Sequence, residues 1–177
     1  MDKKRLATVW LDGCSGCHMS FLDMDERLLA LAARVDLVYS PLVDAKEFPE
    51  NVDLALVEGA VSSEEDLHKI QIVRQRTTTL ISLGDCAVTA NVPGMRNSFG
   101  VKAVYDRAYR ENVTFDPGIP NQIVPALLSN SRPIHEVVAV DVFVPGCPPS
   151  ADTIFYVLTE LLDGRQPQVS MKTRFGS

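Results

Sequence analysis

At 177 residues with a formal net charge of −6, the chain has the length of one domain with a substantial core and an acidic balance. That balance speaks against nucleic acid and anionic membrane surfaces as partners, because both need clustered Lys and Arg. No stretch approaches the roughly 18 apolar residues of a membrane span, and no signal-peptide apolar region follows Met-Asp-Lys-Lys-Arg, so a cytoplasmic location is expected. Leu6–Leu11 reads as a buried first strand running into the Asp12–Cys17 loop. Ser20 offers a helix N-cap with Asp23 three residues on, and Leu22, Leu28, Leu29, Leu31 and Ala32 carry an apolar stripe to Ala33. Val35–Tyr39 and Asp53–Glu58 are strands, closed by Ser40-Pro41 and by Gly59. Ser62 and Glu65 form a capping-box pattern that opens a helix to about Arg76, and Thr77–Leu83 is a β-branched strand ending at Gly84-Asp85-Cys86. Asn91–Asn97 is rich in turn residues, a helix is expected over Val101–Arg110, and Thr114–Arg132, with three prolines and a glycine, reads as irregular. Val137–Val144 is the last strand, ending at Pro145-Gly146-Cys147, and Ser150 caps an amphipathic helix to about Leu162.

Five strands alternating with helices predict an α/β three-layer sandwich with a parallel five-stranded sheet in the flavodoxin-like order 2-1-3-4-5. Residues 1–163 form that domain and residues 164–177 a C-terminal tail. In such a sheet ligands sit in the loops at the carboxyl ends of the strands. The only four cysteines, Cys14, Cys17, Cys86 and Cys147, lie just past the first, fourth and fifth strands, so they are expected to converge there. Four converging thiols in a cytoplasmic protein point to a metal site rather than to disulfides.

An iron–sulfur cluster wants thiolates, nearby backbone N–H groups and limited water access. Gly13, Gly16, Gly84 and Gly146 let the main chain come close, Ser15 sits between the first two cysteines, and Pro148 and Pro149 stiffen the last loop. These glycines with Ser15 and Pro148 are the candidate cofactor-binding residues. Structural zinc also takes four cysteines, but it usually presents two close pairs, whereas 68 residues separate Cys17 from Cys86 and 60 separate Cys86 from Cys147. A thioredoxin-like pair at Cys14 and Cys17 would leave Cys86 and Cys147 as coincidences. Cys14–His18 also matches the c-type haem pattern C-x-x-C-H, which needs export. His18 is expected as a hydrogen-bonding neighbour of the site or a fifth ligand. Asp12 and Glu58 either take a proton or hydrogen-bond role beside the site or cap a nearby backbone N–H.

The segments Leu11-Asp-Gly-Cys-Ser-Gly-Cys-His-Met-Ser20, Val57-Glu-Gly59, Gly84-Asp-Cys-Ala87 and Pro145-Gly-Cys-Pro-Pro149 resemble the [NiFe]-hydrogenase small subunit, a relative of the 20-kDa cluster-bearing subunit of respiratory complex I. Two departures narrow the resemblance. Complex I members have adjacent cysteines in the first motif, where Ser15 and Gly16 intervene here, and membrane-bound or periplasmic small subunits carry an export signal and extra cluster ligands. What remains resembles the small subunit of soluble NAD(P)-reducing hydrogenases. The resemblance implies that Cys14, Cys17, Cys86 and Cys147 hold one proximal [4Fe–4S] cluster. It also implies partnership with a nickel–iron large subunit and with iron–sulfur/flavin diaphorase subunits. No catalytic residue for H2 splitting is expected on this chain. FMN, raised by the flavodoxin-like order, is not expected in its usual loop, because Cys14 and Cys17 occupy it.

Overall fold

β-Branched and aliphatic runs bounded by turn residues build one central sheet in the computed structural model, which describes residues 3–173. The chain runs β1 (Lys4–Trp10), α1 (Gly16–Leu22), α2 (Arg27–Ala32), β2 (Val35–Tyr39), β3 (Val52–Glu58), β4 (Val61–Ser63), α3 (Glu64–Arg76) and β5 (Thr77–Leu83). It continues through α4 (Asp85–Thr89), α5 (Asn91–Gly94), α6 (Val101–Asp106), β6 (Leu127–Arg132), β7 (Val142–Val144) and α7 (Ala151–Leu162). The main sheet has the order β2-β1-β3-β5-β7 with every pairing parallel, which is the flavodoxin-like order expected.

Each face of the sheet carries its own apolar layer, as a parallel sheet covered on both sides requires. Leu54, Leu56, Ile81 and Val144 pack with Phe21 of α1, Leu31 of α2 and Ile154 and Leu158 of α7. Ala55, Val57 and Leu80 face the other way, against Ile70 and Val73 of α3 and Ala87 of α4. Among the described residues no helix is long and apolar enough to cross a membrane.

Several local expectations give way to the structure. The helix after the first loop starts at Gly16, not at Ser20, whose buried hydroxyl donates instead to the Pro149 carbonyl at 2.6 Å. The stripe to Ala33 is broken at Asp25, at φ 49°, so α1 and α2 are separate. The capping box is one residue later than expected: Ser63 Oγ accepts from the Asp66 N–H, and the Asp66 carboxylate accepts from the Ser63 N–H at 2.9 Å. The segment Thr114–Arg132 contains β6, which pairs antiparallel with β4 in a second, two-stranded sheet. The last strand is confined to Val142–Val144, because Asp141 Oδ2 accepts the Leu80 N–H at 2.7 Å where a further ladder bond would fall. Residues 165–173 fold back on α7, and the rest of the expected tail lies outside the described residues. Gln168 N–H donates to the Tyr156 hydroxyl at 3.1 Å, and Thr173 Oγ1 donates to the Pro145 carbonyl at 2.5 Å.

Candidate metal centre

Strand register places the cysteines. Trp10 pairs with Glu58, Glu58 with Leu83 and Leu83 with Val144, so β1, β3, β5 and β7 end in one row. Three or four residues beyond that row stand Cys14, Cys86 and Cys147, and Cys17 follows in the first turn of α1. All four cysteines line a single cleft with Glu58 and Asp85. Gly16, Gly146 and Pro148 complete its wall. The strand-end loops are bolted to each other: Gly84 N–H donates to the Val144 carbonyl at 2.8 Å, and Asp85 Oδ1 accepts the Gly146 N–H at 2.7 Å.

Two glycines are required for steric reasons. Gly84 stands at φ 83°, and a Cβ there would run into the Cys17 sulfur. Gly146 stands at φ 139°, where a Cβ would meet Pro149 at 2.6 Å. Gly13 packs against Gly59 beside Glu58. Ser15 stays outside the cleft as the residue before α1, at φ 64°, with its carbonyl accepting the Met19 N–H at 3.0 Å. Asp12 is also outside: its main chain bridges Ala60 in both directions, and it borders a different cleft with Ser62 and Lys69.

Electrostatics favour a cationic occupant. Burial pushes the Cys17 thiol up, and the Glu58 carboxylate and the other three cysteines push it further. Burial likewise raises Cys86, opposed by a main-chain hydrogen bond from Val92. Deprotonating Cys17 and Cys86 demands positive charge in the cleft, and thiolates prefer soft metals. Donors already face the sulfurs, with Gly16 N–H 3.4 Å from Cys14 Sγ and Asn91 Nδ2 3.7 Å from Cys147 Sγ. Among the described residues no three His, Cys, Asp or Glu side chains close tightly enough to grip one metal ion.

Glu58, 2 % exposed, accepts from the His18 N–H at 2.8 Å and lies 2.6 Å from His18 Nδ1 through the same carboxylate oxygen. The expected neighbours Glu58 and His18 are thus one buried pair at the cleft, and His18 Nε2 is buried with no hydrogen-bond partner among the described residues. Met19, on the same helix, is 57 % exposed, while Phe21 and Met24 are core. Sequence reading missed Asp85, Asn91, Val92 and Ser20. Asp85 had a signal in its place between Gly84 and Cys86; the other three had none.

Residues 14–161 match the family model described as NADH ubiquinone oxidoreductase, 20 Kd subunit. The NAD-reducing hydrogenase HoxS subunit delta of Cupriavidus necator is 45 % identical over 92 % of this chain and 80 % of that protein. The sulfhydrogenase 2 subunit delta of Pyrococcus furiosus is 33 % identical over 92 % of this chain, which spans only 64 % of that longer relative. A crystal structure of an NAD+-reducing [NiFe]-hydrogenase in the H2-reduced state contains a chain that superposes with TM-score 0.93 at 41 % identity, covering 98 % of this chain and 99 % of that one. A [NiFeSe] hydrogenase from Desulfovibrio vulgaris Hildenborough shares the fold alone, with TM-score 0.59 at 15 % identity over 92 % of this chain and 60 % of that one. With its sheet order, its cysteine-lined strand ends and its relatives in agreement, the chain belongs to the 20-kDa subunit family of NADH–ubiquinone oxidoreductase, as a small subunit of the NAD-reducing [NiFe]-hydrogenase kind.

Proposed function

We propose that this chain is the electron-transfer subunit of a cytoplasmic hydrogen:NAD(P)+ oxidoreductase, in which Cys14, Cys17, Cys86 and Cys147 hold a proximal [4Fe–4S] cluster. The observation that carries the reading is the convergence of all four cysteines on one cleft at the row of strand ends. When bound, such a cluster supplies one-electron transfer. This chain's residues do the rest. Gly84 and Gly146 let the main chain approach, Gly16 and Val92 turn N–H groups toward sulfur, and the Glu58–His18 pair fixes the first turn of α1 under Cys17. Gly13, Ser15 and Pro148 shape the loops around them.

Electrons pass between the nickel–iron site of a large subunit and iron–sulfur/flavin diaphorase subunits, and the four cysteines of the sequence are all taken by the one cluster. Met19 and the exposed sulfurs of Cys14 and Cys147 lie where a partner would shut out water. FMN is not proposed in the first loop, whose place Cys14 and Cys17 take. The insertion of Ser15 and Gly16 separates this site from that of a quinone-reducing complex, and the single close cysteine pair speaks against structural zinc.

Anaerobic purification with co-eluting chains, followed by metal and sulfide analysis, tests the reading. About four irons and four sulfides per chain are expected, together with loss of electron transfer in Cys86→Ser. One zinc and no iron would sink the assignment.

A further inference from the structure

After Cys86 the chain runs through one short helix and then reverses. α4 ends at Ala90, a buried alanine at φ 61°, in the left-handed region that residues with a Cβ seldom adopt. The reversal brings Asn91 Nδ2 to 3.7 Å from Cys147 Sγ and the Val92 main-chain N–H to the Cys86 sulfur. Neighbouring side chains then fasten this segment to the small second sheet. Asn97 pairs with Ser131 in both directions, donating to its carbonyl and accepting its N–H, each at 2.8 Å. Arg96 Nη2 donates to the carbonyls of Ser62 on β4 and Leu128 on β6, each at 3.0 Å. The β4–β6 pair, which adds nothing to the main sheet, is thus the anchor of the segment lying over two sulfurs.

We propose that the Asn91 side chain sets the reduction potential of the cluster by donating a hydrogen bond to the Cys147 sulfur, and that Asn97 positions it by clamping the segment to β6. The proposal rests on the reading that the four cysteines hold a [4Fe–4S] cluster. Reduction adds one negative charge that spreads onto the sulfur ligands. An N–H aimed at a sulfur therefore stabilises the reduced form more than the oxidised form and raises the potential. Gly16 and Val92 donate from the main chain and survive substitution; Asn91 donates from its side chain and can be removed. It is neutral and exposed, so its loss leaves the fold and the net charge unchanged.

The test is a redox titration of the assembled complex, followed by the EPR signal of the reduced cluster, in the parent, Asn91→Ala and Asn97→Ala. Asn91→Ala is expected to keep its full iron and sulfide and to shift the one-electron equilibrium toward the oxidised form by about threefold to tenfold, the upper figure being about 59 mV. Asn97→Ala is expected to move the midpoint in the same direction by less. An unchanged midpoint in Asn91→Ala with full cluster content overturns the proposal while leaving the function standing. A shift in Asn91→Ala without one in Asn97→Ala overturns the positioning role. A parent complex in which this chain carries no iron and no sulfide overturns the functional reading, and this inference with it.

Discussion

Gly84 shows how little space the centre leaves. It combines φ 83° with a missing Cβ that would otherwise occupy the position of the Cys17 sulfur. Gly84→Ala is therefore expected to displace Cys17 and cut iron content severely in a chain that still folds, as iron analysis against circular dichroism will show. The Glu58–His18 pair makes a second residue-level prediction. Glu58→Ala strips a buried ring nitrogen and a buried main-chain N–H of their shared acceptor, and is expected to destabilise the fold by about 1–3 kcal/mol. Glu58→Gln keeps an oxygen there and is expected to recover much of the melting temperature lost in the alanine variant. Cysteines, glycines and Glu58 were legible because their chemistry is local, a residue type at a strand end beside a turn. Asp12 belongs to the same row of strand ends, but its main chain bridges Ala60 and its side chain leaves the cleft, a choice that one-dimensional pattern does not encode. Asn91 was illegible for the converse reason, since only the left-handed turn at Ala90 brings it back to a sulfur.

At the scale of elements, long periodic segments announced themselves and short paired ones did not. The apolar runs of β1, β3 and β5 and the cap of α7 at Ser150 lie close to where pattern puts them. β6 was hidden because Ser-Asn-Ser-Arg interrupts any apolar run and, among the described residues, its partner is the three-residue β4. β7 was overestimated because an apolar run does not reveal that Asp141 intercepts the Leu80 N–H. The capping box illustrates the same limit within one residue. Ser62 and Ser63 are equivalent in sequence, yet Ser62 Oγ donates to Ser131 Oγ at 2.8 Å whereas Ser63 caps α3. Ser63→Ala is expected to cost about 1 kcal/mol of stability, measured as a lower denaturant midpoint at unchanged slope. Glu65→Ala, at the position pattern favoured, is expected to leave the midpoint nearly untouched.

Across the whole molecule the two ends of the sheet have opposite chemistry. The carboxyl end gathers thiols, and the amino end is closed by charge pairs: Lys4 with Asp53 at 2.8 Å, and Arg74 with Asp141 at 2.6 Å. Division of labour follows, because a rim tied by ion pairs can hold strand register without touching the site. Asp53 is the clearest member. Burial acts to raise its carboxyl, but hydrogen bonds from Lys4 Nζ and the Arg5 N–H, with the charges of both residues, hold it below the usual carboxylate range. A folded-state value below the unfolded value of about 3.9 means the carboxylate stabilises the fold at every pH above that point. The contribution is lost as pH falls through the lower, folded value. Asp53→Asn is therefore expected to lower stability slightly at neutral pH, by less than about 1 kcal/mol because Lys4 is exposed and screened. The difference from the parent is expected to shrink as pH falls below the unfolded value and to vanish once the parent's own folded carboxylate is protonated. Urea midpoints measured from pH 7 down to pH 3 on both proteins will show two curves that converge as acid is added. Curves that stay parallel would move the acid sensitivity of the sheet to another carboxylate of the same rim.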